Sequence, residues 1–348
     1  MTAARRVVLG LENEDEAWRL PEGTAEALER DFPGLAVERA RRDEDLPDRI
    51  GDADIYFGWP PGDAVVARGK RLRWIQAPSA GVGPYLTPAF FASGATLTNC
   101  RGVHAIPISE HVIGVLIALA RGLRTSVEEQ RSEGGMVRRR YWNGAGIPTE
   151  LHGRTLGIFG YGLIGREVAR RAAAFGMRIV ALRRRPEKPR RWDGALLETI
   201  GLPSEDPPVA GVYGPAEFDR FLDECDAVVV AAAQTAETEG RFDARAFSRM
   251  RPGAWFLNIA RGKLVDEAAL AEAVRSGRLG GAGLDVFADG SLPRESELYT
   301  LDGVILTPHI SGVSRGFWPR ALALFRENLL RDASGEPLLN RVDPALGY

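Results

Sequence analysis

The sequence predicts an α/β protein with two parallel-sheet domains, and three observations support this prediction. The chain has 348 residues, more than one typical domain, and 45% of them are apolar, which is enough to bury two cores. Short apolar runs of strand length alternate with helical patterns from residue 5 to about residue 100. The same alternation resumes at residue 155 beside a glycine-rich turn and continues to residue 306. We expect each series to form its own doubly wound, Rossmann-like sheet.

The charge balance argues against two classes of partner. The formal net charge is −2, whereas a chain that binds nucleic acid or an anionic membrane surface would carry a basic excess. Only three of the 45 basic residues are lysines, so arginine is abundant and a single arginine is weak evidence for a function.

The cysteine and histidine content and the hydropathy of the chain argue against a disulfide-rich, metal-binding, secreted or membrane-spanning protein. Cys100 and Cys225 are too few for a disulfide framework, and the four histidines show no ligand spacing, so no metal is predicted. The N-terminus lacks the apolar core of a signal peptide, and no apolar run reaches the length of a membrane span. We therefore expect a cytoplasmic protein that binds neither membrane nor nucleic acid.

The first series begins with a strand and contains no G-x-G-x-x-G motif. The predicted strands are residues 5–10, 35–37, 53–59 and 72–77. An amphipathic helix is predicted over residues 14–30, interrupted early by Pro21. The turn that follows the last of these strands contains Ser79, Ala80, Gly81 and Val82.

Residues 107–124 form the most apolar helix candidate, and Pro107 suits its first turn. A helix that is apolar all round must be buried. The sequence leaves two alternatives equally open, namely burial in the monomer core and burial against a partner subunit. The basic stretch at residues 131–140 has no apolar period, and we interpret it as an exposed linker or loop rather than a phosphate-binding patch.

A glycine-rich turn carries the most specific signal in the chain. A strand is predicted over residues 155–159, a helix over 163–175 and a second strand over 177–182, and the motif G-x-G-x-x-G joins the first two. In such a unit the first glycine allows the tight turn, the second lets a pyrophosphate approach the backbone, and the third lets helix and strand pack closely. The anion lies at the positive end of the helix. The sequence therefore predicts that a dinucleotide binds at this turn, through Gly160, Gly162, Leu163, Ile164 and Gly165. The alternative is a purely structural turn.

The alternation is broken once after this unit and then resumes. Residues 186–215 are rich in proline and acidic residues, and we interpret them as a surface insertion that is too polar to pack. Further helices are predicted over residues 217–223, 244–250 and 266–276, and further strands over 226–232, 254–259, 281–284 and 304–306. The six strands from residue 155 to residue 306 suit a dinucleotide-binding sheet. A last helix, at residues 315–331, is expected to return with the tail to the first domain.

Three segments follow the glycine-rich unit in a recognisable order. They are Asn258-Ile259-Ala260-Arg261-Gly262-Lys263-Leu264-Val265-Asp266-Glu267, Gly281-Ala282-Gly283-Leu284-Asp285-Val286-Phe287 and Thr307-Pro308-His309-Ile310. Together with that unit they resemble the D-isomer-specific 2-hydroxyacid dehydrogenase family, in particular its glyoxylate/hydroxypyruvate reductase-like members. Supporting matches, which extend the resemblance over nearly the whole chain, are Ser79-Ala80-Gly81-Val82, Ser109-Glu110-His111 and Pro337-Leu338-Leu339-Asn340.

The resemblance implies a domain arrangement. A dinucleotide-binding Rossmann domain, residues 104–315, is expected to be inserted into a flavodoxin-like substrate domain, residues 1–103 and 316–348. It also implies that backbone N–H groups of Ser79 to Val82 bind the substrate carboxylate. His104 and Trp318 are candidates to line the pocket, although packing alone explains them as well.

Hydride transfer between a nicotinamide and a 2-keto acid needs a cation for the substrate carboxylate and a proton donor for the developing alkoxide. The resemblance implies that Arg261 supplies the cation and His309 the proton. A guanidinium binds a carboxylate bidentately, and an imidazole titrates in the range that an acid–base group needs. The resemblance further implies that Asp285 holds the nicotinamide carboxamide, with a simple loop cap as the alternative, and that Ala260 lies at the cofactor.

The sequence departs from the family at one catalytic position. The family pattern resembles D-V-F-x-x-E-P-L-P, and its glutamate pairs with the catalytic histidine. Since Leu292 and Pro293 fix the alignment, Gly290 occupies the glutamate position. Asp289 and Glu295 are the nearest acids that would replace it.

The residues after the second strand of the glycine-rich unit bear on the choice of cofactor. NAD enzymes of this fold place an acidic residue there to accept the ribose 2′-hydroxyl. This chain has Arg183 and Arg184 instead, which would give a 2′-phosphate a charge-assisted contact. We therefore expect NADP(H) to be preferred over NAD(H).

Three functions stay open on the sequence alone. The first is a D-specific, NAD(P)-dependent reductase or dehydrogenase of a small 2-keto or 2-hydroxy acid, and Arg261 and His309 favour it. The second is a dehydrogenase of a simple anion such as formate or phosphite, and the third is a non-catalytic module that senses the dinucleotide. The apolar helix and the family's pairing habit also predict a homodimer.

Overall fold

The computed structural model describes residues 5–132, 135–136, 141–144, 147–188 and 192–345. These residues divide into two compact units. The first unit contains residues 5–103, 192–204 and 313–345, and the second contains the described residues of 104–188 together with 205–312. The assignment of these units as a substrate domain and a dinucleotide-binding domain stays a prediction.

The described chain alternates strands and helices along most of its length. The strands are β1 Arg5–Gly10, β2 Leu35–Arg39, β3 Ile55–Gly58, β4 Trp74–Gln76, β5 Thr96–Thr98, β6 Thr155–Phe159, β7 Arg178–Leu182, β8 Gly211–Tyr213, β9 Ala227–Val230, β10 Ala254–Asn258, β11 Leu279–Leu284 and β12 Val304–Leu306. The α-helices are α1 Thr24–Asp31, α2 Leu46–Arg49, α3 Asp63–Val66, α4 Pro88–Ser93, α5 Ala105–Arg121, α6 Leu123–Arg131, α7 Leu163–Ala174, α8 Gly194–Thr199, α9 Phe218–Asp223, α10 Ala244–Arg249, α11 Glu267–Arg275 and α12 Phe317–Ser334.

Each unit is built on a parallel sheet, which confirms the predicted fold class. In the first unit the strand order is β2-β1-β3-β4-β5, the flavodoxin-like order. In the second unit it is β12-β11-β10-β9-β6-β7-β8. The order reverses between β6 and β9, so the carboxyl ends of these two strands mark the switch point at which open α/β sheets bind ligands.

The prediction of a helix over residues 14–30 is wrong for the residues before Thr24. A single 3-10 turn at Glu16–Trp18 replaces it, and α1 begins only at Thr24. Pro21 lacks an N–H group, and Gly23 has a φ of +75°, a left-handed conformation that separates the two segments.

The interpretation of residues 186–215 as an unpacked surface insertion is also wrong. Its middle forms α8, and the apolar side chains of Leu196, Leu197 and Ile200 are buried in the first unit, where α8 packs against α12. Its end forms β8, the seventh strand of the second sheet, beside β7. The polar composition hid a short apolar face at helical spacing.

The apolar helix α5 is buried to a large extent within the second unit itself. Val112 and Leu116 are fully buried, and α5 packs against α7, β10 and β11. The monomer core therefore accounts for much of its apolar surface. Most of the basic stretch predicted as a linker, residues 133–134 and 137–140, lies outside the described residues. No single described helix is long and apolar enough to cross a membrane, and only the pair α5 and α6, bent by 68°, meets the length and composition test.

Candidate functional site

The glycine-rich turn lies at the carboxyl end of β6, at the switch point of the second sheet. Gly160 has a φ of +100°, and a Cβ atom there would lie 2.5 Å from the backbone of Ala232, which follows β9. A Cβ atom at Gly165 would lie 2.6 Å from the carbonyl oxygen of Gly160, so α7 packs closely on the turn. Nothing lies within 4 Å of the Cβ position of Gly162. The backbone at Gly162 is therefore open to a ligand at the start of α7, where Leu163 and Ile164 begin the helix.

The two arginines after β7 differ in their surroundings. Arg183 is half-buried, and its guanidinium donates to the carbonyl of Pro186 at 2.8 Å and to that of Lys188. The side chain of Arg184 is exposed. Of the two cations, Arg184 is therefore the one presented to solvent at this end of β7.

The turn that carries Arg261 follows β10 and is fixed by its neighbours. The side chain of Asn258, fully buried, accepts from the N–H of Ala260 at 3.0 Å and donates to the carbonyl of Arg261 at 2.9 Å. A Cβ atom at Gly262 would lie 1.9 Å from the carbonyl carbon of Phe287, so only glycine fits there. The Arg261 side chain is exposed, and Nη1 donates to the carbonyl of Ala260. The role of Asn258 was not predicted.

His309 lies in a tight loop that follows β12. Its φ is +56°, a conformation that residues other than glycine seldom adopt. Its N–H donates to the carbonyl oxygens of Asp285 and Thr307, each at 3.0 Å. The His309 side chain is exposed. Since β10, β11 and β12 are parallel, the residues that follow them, Arg261, Asp285 and His309, all lie at the same edge of the sheet.

Asp285 holds this loop with its side chain as well as its backbone. Asp285 is 1% exposed, and its carboxylate accepts from Thr307 Oγ1 at 2.6 Å, from the N–H of Ile310 at 2.9 Å and from that of Ser311 at 3.0 Å. Asp285 therefore has the geometry of a loop cap, which was the alternative to a contact with the nicotinamide carboxamide. The contact of Asp285 with a nicotinamide carboxamide stays a prediction.

A histidine that the sequence did not single out as a site residue joins this group. His111, on α5, places Nε2 3.3 Å from Thr307 Oγ1. Burial lowers the pKa of His111, and the charge of Asp285 opposes this effect only in part. The only sequence signal was the Ser109-Glu110-His111 match, which assigned no function to the side chain.

Gly290 has space around it but an unusual backbone. Its φ is +81°, and nothing lies within 4 Å of its Cβ position. In the part of the chain that the structure describes, neither Asp289 nor Glu295 forms an ion pair with His309. The substitute acids considered from the sequence are therefore not in contact with the imidazole in this structure.

The turn predicted to bind the substrate carboxylate lies in the first unit, after β4. Ser79 Oγ donates to the carbonyl of Gly81 at 2.6 Å, and Asn99 Nδ2 donates to that of Ala80 at 2.9 Å. Ala80 and Gly81 are exposed, whereas Val82 is buried. The backbone N–H groups of Ala80 and Gly81 have no acceptor among the described residues. In this turn the carbonyl oxygens accept hydrogen bonds and the two N–H groups are available as donors, so the turn is suited to bind an anion.

The two residues considered as possible pocket lining make packing contacts. His104 Nδ1 lies 3.1 Å from the carbonyl oxygen of Gly312 in the second unit. Trp318, in the first unit, is 7% exposed, and its ring lies against Phe317 at a centroid distance of 4.9 Å. Their proximity to a substrate stays a prediction. The described residues contain no group of three or more side chains that would hold a metal ion.

The sequence matches known proteins along its length. A family model described as the NAD-binding domain of D-isomer specific 2-hydroxyacid dehydrogenase matches residues 113–311. A glyoxylate reductase from Pyrococcus furiosus is 31% identical in an alignment of 331 positions that covers 91% of this chain and 91% of the relative. A D-3-phosphoglycerate dehydrogenase from Archaeoglobus fulgidus is 31% identical over 279 residues, which are 80% of this chain and 49% of the relative. This chain therefore spans about half the length of that second relative.

A solved structure is similar over the whole chain. It is a D-isomer specific 2-hydroxyacid dehydrogenase from Xanthobacter autotrophicus Py2 in complex with NADPH and MES. It is 28% identical, has a TM-score of 0.77, and the match covers 99% of this chain and 100% of that one. The identity, the ordered motifs and the fold agree: this chain belongs to the D-isomer-specific 2-hydroxyacid dehydrogenase family, whose members are NAD(P)-dependent oxidoreductases.

Proposed function

We propose that this protein reduces a small 2-keto acid to the D-2-hydroxy acid, and catalyses the reverse oxidation, with Arg261 and His309 as catalytic residues. The observation that carries the proposal is their position after β10 and β12, at the same sheet edge as the glycine-rich turn. In this mechanism Arg261 binds the substrate carboxylate and carbonyl oxygen through its guanidinium. His309 donates a proton to that oxygen as negative charge develops there.

The residues around the glycine-rich turn fit a dinucleotide. Gly162 leaves open space that a side chain would fill, and the first turn of α7 offers N–H groups to a pyrophosphate. Ala260 and Asp285 are proposed to lie beside the nicotinamide, which supplies or accepts the hydride. The exposed turn at Ala80 and Gly81 is proposed to add backbone N–H donors for the substrate carboxylate.

The test is a substrate screen that follows oxidation of reduced nicotinamide. Glyoxylate, hydroxypyruvate, pyruvate and longer or aromatic 2-keto acids are compared, formate and phosphite are tested in the oxidative direction, and the hydroxy acid product is resolved by chiral chromatography. Turnover of a 2-keto acid to the D-product supports the proposal. Tight cofactor binding without turnover would identify a sensing module instead, and activity confined to formate or phosphite would identify an anion dehydrogenase.

We predict that NADPH is used with a higher kcat/KM than NADH. The three residues directly after β7 are arginines rather than an acid, and the exposed side chain of Arg184 would give a 2′-phosphate a charge-assisted contact. The NADPH complex of the Xanthobacter relative is consistent with this preference. Arg184→Ala should lower kcat/KM for NADPH and leave the value for NADH unchanged. Equal or higher efficiency of the parent enzyme with NADH would contradict the prediction.

We predict a homodimer whose contact includes the exposed face of α6 and the residues after it. Leu123 and Val127 share one face of α6 and are exposed, and Met136, Trp142 and Ile147 are exposed as well. A monomeric protein seldom leaves so many large apolar side chains exposed in one stretch. Light scattering at micromolar concentration should give twice the chain mass. Val127→Arg should lower that mass, whereas Val212→Arg, at an exposed valine on β8, should not.

We also propose that the protein is located in the cytoplasm. Cys100 and Cys225 are free and buried thiols, which suits a reducing compartment. Fractionation of cells that produce the native protein would test it.

We predict that Gly290→Glu allows keto-acid reduction to continue to higher pH, with the half-maximal point of the falling limb moved up by about one unit. Reduction requires a protonated imidazole, and a neighbouring carboxylate favours that form. The open space at position 290 admits the side chain, although the positive φ of 81° imposes a cost of about 1 kcal/mol. The measurement is kcat/KM against pH for the parent and the variant.

Asp289→Asn is the control for this prediction. If the falling limb stays in place in Gly290→Glu and moves in Asp289→Asn, the pairing hypothesis for position 290 is wrong and Asp289 is the partner in solution.

A further inference from the structure

Three side chains form a hydrogen-bonded chain beneath the loop of His309. Thr307 Oγ1 donates to Asp285 Oδ1 at 2.6 Å, and His111 Nε2 lies 3.3 Å from the same hydroxyl oxygen. His111 belongs to α5, which packs in the core of the second unit, and Thr307 begins the loop after β12. The chain of bonds therefore connects the loop to a core helix nearly two hundred residues away in sequence.

The direction of each bond is determined by the groups themselves. An ionised carboxylate only accepts, so the single hydroxyl proton of Thr307 points to Asp285. The contact with His111 then requires an N–H donor on Nε2. Burial lowers the pKa of His111, which favours the neutral imidazole, and in that form the contact with Thr307 places its one proton on Nε2.

The loop needs such support because its conformation is strained. His309 has a φ of +56°, a conformation that a residue with a side chain keeps only when surrounding bonds hold it. Asp285 supplies those bonds by accepting the N–H groups of Ile310 and Ser311. Thr307 keeps the Asp285 carboxylate in place, and His111 keeps the Thr307 hydroxyl turned toward it.

We propose that His111 is a positioning residue for the reaction, which orients the Thr307 hydroxyl toward Asp285 and thereby holds His309 where its imidazole reaches the substrate. Its kinetic consequence rests on the proposed function, whereas its structural consequence does not. If His111 served only to fill the core, any side chain of similar volume would replace it.

The kinetic test compares His111→Leu, which keeps the volume without a donor, with His111→Gln, which keeps an N–H donor. We expect His111→Leu to lower kcat by about tenfold, because a misplaced acid slows proton transfer. KM and the dissociation constant for the cofactor should stay unchanged, and His111→Gln should recover most of the loss. Val112→Ala, at a fully buried neighbour on α5, is the control for general destabilisation and should lower Tm without this loss of kcat. Equal loss in the leucine and glutamine variants would overturn the proposal.

A second measurement needs no turnover. The chain has four histidines, so their ¹⁵N-labelled imidazole signals are resolvable by NMR. We expect the Nε2–H tautomer for His111, and we expect His309 signals to change in His111→Leu and in Thr307→Val but not in Val112→Ala. If His309 signals are unchanged in His111→Leu, the positioning proposal is wrong whatever the substrate. If they change while the parent enzyme turns over no 2-keto acid, the coupling stands and the proposed function fails.

Discussion

Alanine at position 261 is expected to lower kcat/KM for 2-keto acid reduction by about 10²–10³-fold, which corresponds to loss of one preorganised cationic donor. The fold should tolerate the change. Arg261 is exposed, and its side-chain hydrogen bond within the described chain goes to the carbonyl of Ala260, the residue before it. The turn itself is held by Asn258 and Gly262, which the substitution leaves in place. The measurement is steady-state kinetics with the best 2-keto acid, together with Tm.

Two further variants make this prediction specific. Arg261→Lys keeps the charge but not the bidentate geometry, so it should recover only part of the loss. Lys263→Ala removes an exposed cation from the same turn and should leave kcat/KM close to that of the parent enzyme. If Lys263→Ala and Arg261→Ala lose activity equally, the effect comes from the net charge of the turn and the assignment of Arg261 is wrong.

Local signals in the sequence were sufficient for the elements that surround the candidate site. The strand, turn and helix at residues 155–175 follow from an apolar run, three glycines and a helical period, and the structure places them at β6 and α7. Such elements depend on interactions between residues a few positions apart, which a sequence displays directly. The same is true of β12, whose predicted bounds agree with the structure.

The errors arose where contacts between distant residues decide the structure. The buried face of α8 consists of a few apolar residues in a polar stretch, and only packing against α12, more than a hundred residues later, makes it a helix of the first unit. The bonds from Asp285 to Ile310 and Ser311 likewise join residues 25 and 26 positions apart. A motif can mark Asp285 as special, but it does not say which groups the carboxylate accepts from.

The family pattern also predicts a carboxylate that this sequence lacks at the matching position. It implies a carboxylate beside the catalytic histidine, and the residue at that position is Gly290, in a backbone conformation that favours glycine. The structure places no substitute carboxylate in contact with His309 among the described residues. The conformation of the His309 loop therefore depends on Asp285, Thr307 and His111 rather than on an acid paired with the imidazole.

Removing the His309 imidazole is expected to lower kcat by about 10²–10⁴-fold, the range for loss of a general acid. Asparagine is the substitution to use. It adopts a positive φ more readily than other residues with a side chain, so His309→Asn keeps the loop at its φ of +56° while it removes the titrating group. Alanine would combine the chemical loss with backbone strain. Cofactor affinity and Tm should stay close to those of the parent enzyme.

The matched control is His152→Asn. His152 is an exposed histidine of the second unit that precedes β6, at the amino end of the strand, away from the edge that carries Arg261 and His309. Its substitution should leave kcat unchanged. The pH profile adds a second criterion, since the parent enzyme should lose reduction as the acid deprotonates, whereas the residual activity of His309→Asn should show no such limb. Full activity of His309→Asn, or an unaltered falling limb in it, would assign the proton to another group at this sheet edge.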